Sequence, residues 1–287
     1  MSLQARSGAT EFAAVGEDPI DTSVAHSSRV WNGLLGGKDN YPADRQAVEQ
    51  LIELYPGIFD VAGCSRYFHS RMVRYLAGEE GIGQFVDLGV GLPTVDNTHE
   101  VAGRVTPNAR VVYVDNDPVV AVHARALLTG LGEVETHHVQ ADLCQTGALM
   151  TAVAESLDLT RPVAVLMTSV MRHIDICGPD DEQARDIVRQ LVKALPSGSH
   201  VSICEATSTD PGLCAAVDDY NQSGADPWSL RTPDQLRACL TVPDLQLVPP
   251  GIVPAEQWHP EPQPFDTRDV PAWGGVSRVV RRSAADS

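Results

Sequence analysis

The chain has 287 residues, 43% hydrophobic and 21% charged, which is enough apolar material for one large α/β domain or a domain with a smaller attachment. Its 21 Lys+Arg against 38 Asp+Glu leave a formal charge of −17, so phosphate backbones and anionic membrane surfaces would be repelled and neither is an expected partner. No segment approaches the roughly 18 consecutive apolar residues of a membrane span.

Residues 1–22 are small and polar, carry Glu11, Glu17 and Asp18, and lack the apolar stretch of a secretory signal. They predict a loose tail. Residues 23–80 read as a helical cap. Pro42 suits a first helical turn, and Val48, Leu51, Ile52 and Leu54 follow at helical spacing. Tyr67, Phe68, Met72, Val73 and Leu76 form a second stripe. Between the stripes lies a glycine-opened polar loop, Gly36-Gly37-Lys38-Asp39-Asn40-Tyr41.

From Gln84 onward, in the stretch 81–287, short β-rich runs alternate with helical windows. The expected strands are Phe85–Leu88, Ala109–Val114, Val134–Val139, Val163–Met167 and His200–Cys204. Helices are expected over Pro118–Leu128, around Ala148–Leu157, and over Asp180–Leu195. Thr232-Pro233-Asp234-Gln235 is a capping box that opens a helix to about Leu240. Gln246–Val253 and Val276–Val280 are the last strand candidates. Nearly continuous apolar strands alternating with helices mean a parallel sheet covered on both faces. The six cysteines (Cys64, Cys144, Cys177, Cys204, Cys214, Cys239) are scattered, with no CxxC. They read as reduced thiols of a cytoplasmic protein, and no metal site is expected.

The chemistry concentrates at strand ends. The first strand runs into Asp87-Leu88-Gly89-Val90-Gly91-Leu92-Pro93-Thr94. Glycines there let the backbone approach a ligand closely. The turn departs from the dinucleotide fingerprint, whose third glycine would fall at Thr94. An aspartate before the turn also opposes a pyrophosphate and suits an ammonium. Asp115, in Val114-Asp115-Asn116-Asp117-Pro118, stands where an acidic side chain takes two ribose hydroxyls. Asp142, followed by Leu143 after the third strand, can accept from an exocyclic amine such as that of adenine. Each aspartate alone is more often a helix cap or turn former. Together, ammonium, ribose and adenine without a phosphate site describe S-adenosylmethionine. The sequence leaves two rivals standing: an NAD-dependent oxidoreductase, and a non-catalytic adenosylmethionine-binding regulator.

From Gln84 to the C-terminus the chain resembles a class I methyltransferase. More specifically, it is similar to a bacterial family of S-adenosylmethionine-dependent methyltransferases long known as a domain of unknown function. The matching stretches are Val30–Arg45 (VWNGLLGGKDNYPADR), Ser65–Leu76, Phe85–Val101, Ala109–Leu128 and Gly274–Val276. The resemblance implies a Rossmann-like, doubly wound, seven-stranded sheet of order 3-2-1-4-5-7-6 with its seventh strand antiparallel. It implies a cofactor site at Asp87, Gly89, Gly91, Pro93, Thr94, Asp115, Asn116, Asp142, Leu143 and Thr168. Pro93 stands where many class members have another glycine.

In that architecture N-terminal helices commonly cap the cofactor. The loop with Lys38, Asp39 and Tyr41 is therefore expected to be a lid on the methionine end, mobile when empty. Arg66 or Arg71 is expected to pair with the methionine carboxylate. In Thr168-Ser169-Val170-Met171-Arg172-His173, beyond the fourth strand, His173 is the candidate general base. Tyr220-Asn221 and Trp258-His259 are candidates for the acceptor pocket. The expected partner is a small-molecule acceptor, and a homo-oligomer is compatible with the sequence.

Overall fold

The structure, a computed structural model, describes residues 21–128, 134–174, 181–260 and 269–281. All but the end of the expected tail, and Cys177, lie outside them. Three helices come first: α1 (Ser27–Leu34), α2 (Pro42–Leu54) and α3 (Ile58–Gly78). Pro42 opens α2 as expected, and the buried Asp44 closes the turn by accepting from Tyr41 N at 2.7 Å.

The sheet follows. Its strands are β1 (Gln84–Leu88), β2 (Arg110–Asp115), β3 (Glu135–Gln140), β4 (Ala164–Thr168), β5 (His200–Ala206), β6 (Leu245–Leu247), β7 (Val253–Pro254) and β8 (Ala272–Val279). The order is β3-β2-β1-β4-β5-β8-β6, with β7 pairing on β8. β1 to β5 pair in parallel, and β8 runs antiparallel to β5. The order is the expected one, and the correction is one of count. Gln246–Val253 is not a single strand, because Pro249 and Pro250 have no N–H for a ladder. Two short strands, β6 and β7, therefore flank that turn.

Between the strands lie α4 (Thr98–Val105), α5 (Pro118–Leu128), α6 (Thr146–Val153), α7 (Glu182–Ala194), α8 (Pro211–Asn221) and α9 (Pro233–Leu240). The sequence reading omits α8, although Asp210-Pro211 is a cap followed by a first-turn proline. Asp210 accepts from Gly212 N and Leu213 N.

Strand alternation decides which side chains meet the helical cap. Phe85, Val111, Ala164 and Leu166 pack with Phe68, Met72 and Leu76 of α3 in one core. Val86, Val112, Val165 and Ile203 face the other way, onto α6, α7 and α9. Asp87, Asp115 and Thr168 have the parity of the first set. All three strand ends therefore present their polar residues to α1 and α3.

Candidate functional site

A cavity of about 370 Å³ lies between the carboxyl ends of β1–β4 and helices α1 and α3. Ligand sites commonly occupy this position in open α/β sheets. Asp87, Gly89, Gly91, Thr94, Asp115, Asn116, Asp142, Leu143, Thr168, Arg66 and His173 all line it. Pro93, Lys38, Asp39 and Tyr41 do not.

Asp87 is buried and accepts from Thr98 Oγ1 at 2.6 Å. Thr98 Oγ1 thereby uses its only proton. It must accept from His69 Nε2, 2.8 Å away, so that nitrogen carries the imidazole proton. His69 Nδ1 is then the acceptor for Thr168 Oγ1 at 3.1 Å. The result is a directed chain, Thr168 to His69 to Thr98 to Asp87, in which each bond polarises the next. Burial holds the His69 imidazole well below its ordinary pKa, consistent with the neutral tautomer. Burial also pushes the Asp87 carboxyl up to about 6, against the opposing pulls of Thr98 and the Arg66 guanidinium. Such a carboxylate gains most from a cation arriving beside it. The sequence reading misses His69, though it stands three residues after Arg66 and so shares its helix face.

Asp115 is buried and shapes the glycine turn from across the sheet. Its Oδ2 accepts from Gly91 N at 2.8 Å and its Oδ1 from Asp117 N at 2.9 Å. A carboxylate has about four acceptor sites, so both oxygens retain capacity for hydroxyl donors. Burial raises its pKa. Asp142 is exposed and caps the following turn through Cys144 N at 2.8 Å. The start of α4 is already taken by an acid. Asn97 N donates to Glu100 Oε2 at 2.8 Å, so an anion already occupies the helix start that follows the glycine turn.

Gly89 has φ +67, and an added Cβ would fall 2.2 Å from Val170 Cγ2. Valine is stiff at χ1 and cannot swing clear. Gly89→Ala is expected to destabilise the protein by roughly 1–3 kcal/mol, read as a lower urea midpoint with unchanged slope.

The cavity is lined not by the loop expected as a lid but by the element before it. One face of α1, with Ser27, Ser28, Trp31 and Asn32, lines the cavity, and Leu35 continues it. His26 fastens the start of this helix. Its Nδ1 is 3.1 Å from Asp117 Oδ2 and its Nε2 is 3.4 Å from Asp226 Oδ2. The 36–41 loop is instead bonded within itself and to the helices on either side. Asp39 N donates to Asn32 Oδ1, Asn40 Nδ2 to the Gly37 carbonyl, and Arg45 to the Asn40 carbonyl. Gly37 is required because a Cβ would fall 2.3 Å from the Asn32 amide. Asp44 holds Arg29 Nε through both oxygens at 3.1 and 3.0 Å. Hydrogen exchange is therefore expected to slow across residues 26–35 on adding S-adenosylhomocysteine and to stay unchanged across 36–41. Slowing confined to 36–41 would reinstate the loop as the lid.

His173 reaches the cavity with its accepting nitrogen engaged. Nε2 is 2.8 Å from Ser27 Oγ and 3.2 Å from Arg172 Nε, which donates to it. Burial and the Arg172 charge hold its pKa down, to about 3. A lone pair already shared between two donors is a poor proton acceptor. In this geometry His173 ties α1 to the turn after β4. Arg66 lines the cavity while donating to the Val95 and Asp96 carbonyls. Arg71 points away, to the carbonyls of Ala255 and Trp258. Trp258 is fully buried behind α3, outside the cavity wall. Tyr220 packs on Trp228 at 4.8 Å, and Asn221 holds the Trp228 backbone. His99 and Glu100 are structural: His99 Nδ1 is 2.7 Å from the Tyr113 hydroxyl.

The residues present fit an adenosyl ligand with a charged amino-acid end. A buried carboxylate stands at the glycine turn, a second acid has free acceptor capacity one strand away, and the helix start after the turn is already occupied by Glu100. Comparison with known proteins agrees. Residues 13–280 match the family model described as S-adenosyl methyltransferase. A DUF574 family protein of Streptomyces avermitilis is 35% identical, with a TM-score of 0.82 over 91% of this chain and 99% of that one. A Thermobifida fusca protein, described as a methyltransferase candidate, is 34% identical, with a TM-score of 0.80 over 90% of this chain and 96% of that one. No curated protein matches the chain. The strand-end acids, the Glu100-occupied start of α4 and the match over nearly the whole length converge: the cofactor is S-adenosylmethionine, and the chain belongs to the S-adenosyl methyltransferase family.

Proposed function

We propose that the protein is an active methyltransferase that transfers the cofactor's methyl group to a small-molecule acceptor held in the same cavity. The observation that carries this reading is the extent of the cavity wall. It continues past Asp87, Asp115 and Asp142 to Trp31, Arg172, His173 and Asp226, which the cofactor reading does not require. An acceptor can therefore sit beside the cofactor. The enclosure supports a small molecule rather than a macromolecule. No described helix is long and apolar enough to cross a membrane, and the charge of −17 disfavours nucleic acid.

In this reading Asp87 holds the ammonium, with His69 and Thr98 fixing its orientation. Asp115 takes the ribose hydroxyls, Asp142 and Leu143 bound the adenine, and Asn116 and Thr168 complete the wall. Arg66 is the cation available to the methionine carboxylate. When bound, the cofactor supplies a sulfonium methyl already activated for displacement. The protein's work is alignment and exclusion of water. The α1 face does both, closing over the strand ends through His26 and Ser27. With the His173 lone pair occupied, the reading favours an acceptor that arrives deprotonated or needs no protein base.

Calorimetry with S-adenosylhomocysteine and with NADH tests the cofactor half. The homocysteine compound is expected to bind and NADH not to. A coupled assay for S-adenosylhomocysteine release tests turnover over a panel of small acceptors. Binding without turnover on any of them would favour the regulatory alternative.

A further inference from the structure

Beyond the cofactor residues, two cavity-lining side chains from one segment are buried and lack hydrogen-bond partners: Ser169 Oγ and Arg172 Nη1. Ser169 is 6% exposed and Arg172 4%. Both atoms are donors. Ser169 has φ +60, a conformation that costs a serine energy and that clusters at functional sites. Arg172 Nε is spent on His173, and its guanidinium lies 4.0 Å from the Trp31 ring centroid and 4.5 Å from that of Trp228. Two aromatic faces fix the plane of the fork. Buried Arg231 pins the surrounding turn by donating to the carbonyls of Met171 and Ile174. Glu205 acts on Arg172 electrostatically, yet its own Oε2 also lacks a partner, so the two do not neutralise each other by contact.

A buried guanidinium with an unspent donor is costly until an anion completes it. Arg66, the other arginine in the wall, is assigned to the cofactor's carboxylate in that reading, with Nε and Nη2 held by the Val95 and Asp96 carbonyls. Trp31, Leu35, Val170 and Ile174 supply apolar wall in the same cavity. We propose that Ser169 and Arg172 form the acceptor's anchor, and that the acceptor carries a carboxylate on an apolar body. This rests on the methyltransferase reading. The pair would receive the carboxylate oxygens, the fork giving direction and the serine hydroxyl the remaining donor. In a chain of charge −17, such an anion needs a local cation to be admitted.

The test uses the full chain saturated with S-adenosylhomocysteine. Matched pairs of acid and neutral amide are titrated by calorimetry: benzoate and benzamide, phenylacetate and phenylacetamide, indole-3-acetate and indole-3-acetamide. At least one acid is expected to bind about tenfold or more tightly than its amide. Arg172→Lys keeps the charge and loses the fork, and Ser169→Gly removes the hydroxyl while suiting the backbone. Each is expected to shrink the acid-to-amide ratio severalfold. A merely structural role would lower stability and leave that ratio alone. Equal binding of acid and amide in every pair, no acid binding, or an unchanged ratio in both variants would overturn the proposal. Failure of the native protein to bind S-adenosylhomocysteine would overturn the methyltransferase reading itself, and this one with it.

Discussion

Asp115→Ala is expected to weaken S-adenosylhomocysteine binding by roughly ten- to a hundredfold while leaving the chain folded. Hydrogen bonds to a charged group are each worth roughly 1.5–3 kcal/mol, which sets that range. The geometry adds a second route to the same loss. Asp115 also accepts from Gly91 N at 2.8 Å, so its removal frees the glycine turn that faces the ligand. Asp115→Asn separates the two routes. It can still accept from one backbone N–H, but it loses the charge and one acceptor. If ribose pairing dominates, both variants lose affinity for adenosine as well as for S-adenosylhomocysteine. Calorimetry with the two ligands reads this directly. An unchanged dissociation constant in folded Asp115→Ala would move the ribose site elsewhere.

The strand-end acids are legible in the sequence because their placement is local. A β-rich run ending in Asp87 or Asp115 fixes the parity of the aspartate, and the parallel order brings the ends together. Asp142 follows by the same logic. The α1 contribution is less legible. Ser27, Trp31 and Leu35 recur at four-residue spacing, a pattern that any buried helix face would show. Its position over the strand ends depends on His26 reaching Asp117 and Asp226, contacts 91 and 200 residues along the chain that no local pattern announces. The 36–41 loop misleads for the opposite reason. Its dense polar residues resemble a ligand grip, but Asn40 donates to Asn32 Oδ1 and accepts from Arg45, which ties the loop to the two flanking helices. His173 was visible as a histidine after β4. What could not be seen was the pair of donors, Arg172 and Ser27, that meets its accepting nitrogen. Polar composition therefore located the site, while hydrogen-bond accounting decides which polar groups remain free to act.

That accounting makes the pH dependence of binding the sharpest test of Asp87. In the free protein its carboxyl titrates at about 6, above the usual 3.8, because it is buried. Between those values the folded state holds a proton that the unfolded state has lost. The folded chain therefore binds more protons, and stability falls as pH rises through this window, by about 3 kcal/mol for the whole shift. Ionised Asp87 is the costly form, and an ammonium beside it offsets that cost. Below pH 6 the proton must leave before the ammonium can pair. Affinity for S-adenosylhomocysteine is thus expected to rise with pH, from about tenfold below its plateau at pH 5 to near constancy above about pH 7. The series should stop near pH 5, since the sequence pI is about 4.8 and solubility falls there. Adenosine lacks the ammonium and serves as the reference. Asp115 is also raised by burial, but its effect on ribose is common to both ligands and cancels in the ratio of their affinities. Burial, with the Arg66 charge, holds the His69 pKa well below its ordinary value. Asp87→Asn should flatten the ratio across the series and lower it at pH 7. A flat ratio in the native protein from pH 5 to 7 would mean that Asp87 does not receive the ammonium, and that its chain to His69 and Thr98 serves only to hold α3 against the sheet.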